Sequence, residues 1–198
     1  MRPILIVFAF PVLLSVSSLQ GSSAPSRSKP SLCTKQEEVY FTSGFLNNKL
    51  ASICTSSDVS YTSGYLVYRY GTSDRKIELS LPQRPIEFRR FVTLEESGGG
   101  DSGEEDEFIR IRNGKFSYVV YSAFSNDFDV HGLAVFENDE LIKNMPSLSG
   151  SFEGSGAFEG LRHLGVPLEE KAKAQAIWRA LLPASSVFHS RPAAAASK

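Results

Sequence analysis

The chain has 198 residues, with 21 Lys or Arg against 22 Asp or Glu and a net charge of −1. That length suits one domain with appendages, and near-zero charge excludes a general nucleic-acid or membrane-surface binder, which needs a basic footprint. Two Cys exclude a disulfide-dense mini-protein and the multi-Cys zinc modules, while 41% apolar and 11% aromatic residues exclude a wholly disordered chain.

Met1-Arg2 and the apolar run at 4–14 precede a small and polar stretch at 15–24, which is the order of a secretory signal peptide. Residues 1–24 are therefore assigned to a leader, with cleavage between Ser18 and Ala24. The run is shorter than the ~20 apolar residues a membrane span needs. Cys33 lies too far beyond it to serve as a lipoprotein anchor. The mature protein is expected in a periplasm or secreted, without stable membrane insertion.

Residues 25–36 read as a mobile Pro/Ser-rich lead-in. In an oxidising compartment Cys33 and Cys54 can pair, closing a loop of about 20 residues worth roughly 3 kcal/mol. Two free thiols are the alternative, and no base stands near either Cys to make a catalytic thiol. The pairing suits a hairpin with arms at 39–42 and 50–53 and Asn47-Asn48 in its turn.

From 37 to 145 the sequence reads as one β domain. Candidate strands lie at 65–70, 76–81 and 88–94, and at 108–112 and 115–121 on either side of Asn113-Gly114, a strong hairpin signal. Further strands at 130–137 and 141–142 flank Asn138-Asp139. Short links and no intervening helical periodicity predict an antiparallel sandwich or barrel-like sheet of seven to eight strands. The insertion at 95–107 carries seven acids and four Gly in thirteen residues. It reads as a solvated loop, with calcium binding as a sharper alternative that the EF-hand spacing does not support. Residues 146–166 form a Gly/Ser-rich connection, either a linker or an irregular segment across the sheet. An amphipathic helix is predicted over 167–182, with Ala174, Ile177, Trp178, Leu181 and Leu182 on one stripe. Residues 183–198 read as a disordered tail.

No G-x-S-x-G, phosphate loop, H-E-x-x-H or paired-Cys motif occurs, so no catalytic residue, metal ligand set or cofactor is assigned. Asp129 and His131, at i and i+2 on one strand face, form a weak polar site in which Asp could orient His. Ser122 or Ser125 could serve as a nucleophile, although nothing in the sequence brings either to His131. Alternation over 65–70 places Leu66, Tyr68 and Tyr70 on a core face and Tyr65, Val67 and Arg69 on the other. The second set is either an aromatic-plus-Arg binding surface, extended by Arg110 and Arg112, or an ordinary face covered by the C-terminal helix.

The runs 63–71 (SGYLVYRYG), 112–118 (RNGKFSY) and 132–139 (GLAVFEND) resemble a group of small exported bacterial proteins of uncharacterised function, over roughly residues 37–145. The resemblance implies an exported β domain and carries no catalytic residue. The combined expectation is a non-enzymatic module that binds a protein or cell-envelope partner, as an inhibitor or accessory factor. The alternatives are a carbohydrate-binding or structural module and an envelope hydrolase using Asp129 and His131.

Overall fold

A computed structural model of the chain describes residues 30–82, 88–98, 105–124, 129–152, 154 and 156–182. The expected leader, the start of the lead-in and the tail lie outside them. Two antiparallel sheets pack face to face as a sandwich and do not close into a barrel. The first is a meander of β1 (Glu37–Phe45), β2 (Lys49–Ser56), β3 (Leu66–Thr72) and β4 (Ile77–Leu81). The second continues with β5 (Val92–Gly98), β6 (Glu105–Asn113), β7 (Phe116–Phe124), β8 (Asp129–Glu137) and β9 (Glu140–Pro146), again neighbour to neighbour.

The described strands number nine rather than seven or eight. Each falls on or beside a candidate segment, and the strand expected at 141–142 is longer than read, β9 running from Glu140 to Pro146. β9 is an edge strand whose side chains are mostly exposed, so it lacks the apolar alternation that marks a strand in sequence. The candidate at 88–94 also divides, into a 3-10 turn at Phe88–Arg90 and the start of β5.

Turn chemistry sets the registers. Asn138 and Asp139, with φ of 49° and 66°, are the paired left-handed residues of a two-residue hairpin turn, and Asn47 and Asn48, with φ of 59° and 57°, lie in the three-residue loop between the paired Phe45 and Lys49. The β6–β7 turn is centred one residue later than the Asn-Gly signal suggests. Asn113 pairs with Phe116, and Gly114 alone in that turn has positive φ.

The acidic insertion is partly ladder. Glu95 pairs with Phe108, and the pairing continues through Glu96–Glu107 and Ser97–Asp106 to Gly98–Glu105. Residues 99–104, where a calcium loop would have to close, lie outside the described residues.

Inner faces from both sheets form one core. Phe41, Ile53, Leu66 and Tyr68 of the first sheet meet Leu94, Ile109, Val120 and Leu133 of the second, all buried. Tyr68 stacks on Tyr118 across the gap with centroids 5.6 Å apart. The face expected from alternation, Leu66, Tyr68 and Tyr70, is this inner one.

The Gly/Ser-rich connection lies across the sandwich and contains a helix of its own, α1 (Ala157–His163), whose Ala157, Phe158 and Leu161 join the shared core. Before it, Leu148 N–H donates to Gly44 O at 2.8 Å, and the Phe152 ring meets Phe41 edge-on at 5.3 Å. Gly160 is required inside α1 because a Cβ there would lie 2.9 Å from the Tyr40 ring.

The expected C-terminal helix begins later than residue 167. Pro167 O accepts from Leu94 N–H at 3.0 Å and Glu169 N–H donates back to Leu94 O at 2.6 Å, so this stretch bridges the exposed edge of β5. α2 (Lys171–Leu181) then lies on the outer face of the second sheet. Ala174, Ile177, Trp178 and Leu181 are buried there against Phe108, Tyr121 and Phe136, with Leu182 half-buried beside them.

The outer face of the first sheet is covered differently. Cys33 and Cys54 form a disulfide with Cα atoms 5.5 Å apart. That bond holds residues 30–36, the end of the expected mobile lead-in, on the sheet. Leu32 and Cys33 are buried, Leu32 N–H donates to Ser52 Oγ at 3.0 Å, and Thr42 Oγ1 donates to Pro30 O at 3.0 Å. Among the described residues no helix is long and apolar enough to cross a membrane.

Candidate functional site

The four residues grouped as one binding surface fall on two opposite faces of the sandwich. Tyr65 and Arg69 lie on the outer side of the first sheet, and Arg110 and Arg112 on the outer side of the second. A single patch of all four therefore does not form. The sheet break between β4 and β5 separates them, and nothing in local alternation marks that break.

On the first sheet, Arg69 is engaged internally. Its Nη1 and Nη2 donate to Glu37 Oε2 and Oε1 at 2.6 and 2.8 Å, and Nη1 also reaches Leu32 O at 3.2 Å. Tyr65 Oη donates to Glu37 Oε1 at 3.2 Å. The Glu37 side chain is 2% exposed and that of Arg69 14%. A fork-to-fork pair of this kind is both strong and geometrically specific. The Arg69 guanidinium beside Glu37 holds its carboxyl down to about 2, against the opposing effect of burial. This cluster fastens the N-terminal segment to β3, with the Arg69 guanidinium bonded to Glu37 and Leu32. The cover over this face is the 30–36 segment and not the C-terminal helix.

At one end of β7 and β8 the weak polar site acquires a third member. Ser122 and His131 are cross-strand partners, which brings Ser122 Oγ to 3.0 Å from His131 Nδ1. His131 Nε2 lies 2.8 Å from Asp129 Oδ1. With the proton on Nε2, His131 donates to Asp129 and accepts from the Ser122 hydroxyl, a Ser–His–Asp relay. Phe152 stacks on the imidazole with centroids 4.0 Å apart. Ser125 lies outside the described residues.

A cleft opens on the outer face of the second sheet, beside the start of α2. Arg110, Arg112, Lys115, Ser117, Asp139 and Lys173 line a cleft of about 290 Å³. Three elements converge to make it: the β6–β7 hairpin, the Asn138-Asp139 turn and the first turn of α2. Arg110 and Arg112, two residues apart on β6, face outward together, and Ser117 sits opposite Arg112 on β7.

Glu169 is the anchor beneath this cleft. Its Oε2 accepts from Thr93 Oγ1 at 2.8 Å, from Arg110 Nη1 at 3.4 Å and from Arg112 Nη2, with its side chain 3% exposed. Arg110 Nη2 also donates to Asp139 Oδ1. Glu169 has the look of a residue placed for a helix dipole, but its carboxylate turns back onto the sheet. Two rim pairs complete the cleft, Lys115 with Glu137 and Lys173 with Glu170, all four side chains at least one-third exposed. Arg110 Nε and Ser117 Oγ are buried and have no hydrogen-bond partner among the described residues.

Sequence reasoning named Arg110 and Arg112 but missed Lys115, Ser117, Asp139, Glu169 and Lys173. Their convergence depends on contacts that no short spacing encodes. A second cleft of about 280 Å³, lined by Phe45, Leu46, Tyr70 and Met145 with Lys49 and Lys143, opens at the tip of the β1–β2 hairpin. Among the described residues no group of three or more His, Cys, Asp or Glu side chains gathers as metal ligands.

No family model matches this chain, and no curated protein or solved structure matches it either.

Proposed function

We propose that the chain is an exported β-sandwich module that binds a protein or cell-envelope partner through the outer face of its second sheet. The observation that carries this reading is the cleft at 110–117 and 173, where four cationic side chains converge around an opening and two of their rim pairs are exposed. Exposed ion pairs contribute only about 0–1 kcal/mol, so both lysines can exchange an intramolecular carboxylate for a partner's group. Export is supported by the leader-like N-terminus and by the Cys33–Cys54 disulfide, which persists in oxidising compartments.

The test compares cross-linked capture from the native envelope or secretome by the wild-type protein and by a Lys115→Glu/Lys173→Glu variant. Loss of the wild-type partner, with an unchanged circular dichroism spectrum, is the expected result. Recovery of the same partner by both proteins would remove this face from the proposal.

A second reading, envelope hydrolase, is favoured by the Ser122–His131–Asp129 hydrogen bonds. The relay would let His131 Nδ1 take the Ser122 proton as the oxygen attacks an acyl carbon, and return it to the leaving group as the tetrahedral intermediate collapses and the acyl–leaving-group bond breaks. Labelling by a fluorophosphonate probe that disappears in Ser122→Ala and falls sharply in His131→Ala supports it. Unlabelled wild-type protein sinks it.

A further inference from the structure

We infer that the cleft beside α2 is a binding site for a tetrahedral oxyanion, the phosphate or sulfate group of a small ligand. This deepens the binding reading above and rests on it for the choice of face. The first observation is the donor set. Arg110, Arg112, Lys115, Ser117 and Lys173 approach one opening from β6, the β6–β7 turn, β7 and α2; among the described residues Asp139 is the carboxylate that lines it with them, while Glu137 and Glu170 pair with the two lysines at the rim. The second is independent of charge. Ser117 is 3% exposed and Arg110 5% exposed, yet Ser117 Oγ and Arg110 Nε have no partner among the described residues. A buried donor left unmade costs desolvation free energy, and both residues line the opening, so a small side-chain adjustment toward an acceptor held there would recover that cost.

Geometry selects the shape of that acceptor. The donors come from a sheet face, a hairpin turn and a helix, not from one plane. A planar carboxylate is best met by one guanidinium fork, whereas a tetrahedral oxyanion offers acceptors in several directions. Glu169 already occupies part of both guanidinium groups from below, which fixes their orientation before a ligand arrives. Asp139 is 65% exposed and bonds Arg110 Nη2 from the open side. It stands where an incoming oxygen would stand, and the ligand displaces it. The volume of about 290 Å³ sits at the small end of ligand pockets, which suits a compact group and not a long polymer.

The experiment titrates the full processed protein with sodium phosphate, sodium sulfate, glycerol 3-phosphate and sodium acetate at constant ionic strength. It is read by amide chemical shifts and by thermal midpoint. Phosphate and sulfate are expected to give saturable shifts at Gly114, Lys115 and Ser117, and acetate to give none that saturates. Lys115→Ala and Lys173→Ala should each weaken phosphate binding about tenfold. Asp139→Asn should strengthen it severalfold by removing the internal competitor. Tighter binding of glycerol 3-phosphate than phosphate points to an esterified ligand, and equal binding to the free oxyanion. The absence of saturable shifts, or equal shifts with acetate, overturns the assignment.

Failure of this inference is separable from failure of the binding-face reading. If phosphate does not bind but the lysine charge-reversal variant still loses its captured partner, the oxyanion assignment falls and the face stands. If phosphate binds and both proteins capture the same partner, the oxyanion site stands and the face falls.

Discussion

At the scale of single residues, the Glu37–Arg69 pair has the clearest energetic consequence. The Glu37 carboxyl is held down to about 2 from an ordinary 4.5, first by the Arg69 hydrogen bonds and further by the Thr34 N–H. A group whose folded pKa lies below its unfolded one contributes stability that is present above the unfolded value and lost as pH falls through the folded one. The window here therefore runs from about 4.5 down to about 2. A shift of this size corresponds to on the order of 3 kcal/mol when fully expressed. Wild-type protein should lose about that much unfolding free energy across the window, while Glu37→Gln should show a flatter acid limb. Urea unfolding at a series of pH values measures both; superimposable profiles would show that the pair carries no linkage. The same bonds make Arg69 a stabilising residue first, so any binding defect in its variants has to be read against lost stability.

At the scale of elements, α2 is the piece whose attachment depends on one side chain. Trp178 packs on Phe108 with centroids 5.6 Å apart and meets Tyr121 edge-on at 6.4 Å. Trp178→Ala removes the bulkiest buried side chain of the helix and should cost roughly 3–5 kcal/mol. Chemical unfolding followed by circular dichroism checks this, and a loss under about 1 kcal/mol would mean the helix is held mainly by its other contacts. This helix was legible in the sequence because its apolar residues recur at helical spacing and so advertise one face. α1 was not, since Gly156 and Gly160 mimic a linker and its seven residues are too few to show a period. The hairpins were legible where Asn and Asp residues adopt left-handed φ. The boundary between sheets was not, because main-chain pairing inside each meander looks the same from strand to strand. That boundary also decided the candidate surface, which is why Arg69 and Arg110 separate. The Asp129–His131 placement followed from strand alternation alone. Its third member, Ser122, required the β7–β8 register, which only the fold supplies.

At the scale of the whole molecule, the topology suggests two halves and the packing denies it. Each sheet is contiguous in sequence and built from neighbouring hairpins, with a single crossing between β4 and β5. Such local pairing would allow each meander to form separately. Among the described residues, however, the inner faces are covered mainly by each other and by α1, with Phe88, Phe91, Phe152 and Val166 at the margins. Exposing Phe41, Ile53, Leu66 and Tyr68 by removal of the second sheet would cost on the order of 6–12 kcal/mol, comparable to the whole stability of a typical domain. Unfolding should therefore be one cooperative transition. The disulfide and the lone tryptophan provide the means to check it, because they lie on opposite outer faces: Cys33–Cys54 on the first sheet, Trp178 on the second. Reduction of the disulfide should lower stability by about 3 kcal/mol. If the sandwich is one unit, the Trp178 fluorescence midpoint moves by the same amount as the far-ultraviolet dichroism midpoint, although the disulfide lies on the other sheet. A fluorescence midpoint that stays in place while the dichroism transition shifts would mean that the second sheet, with α2, holds its structure after the first has opened.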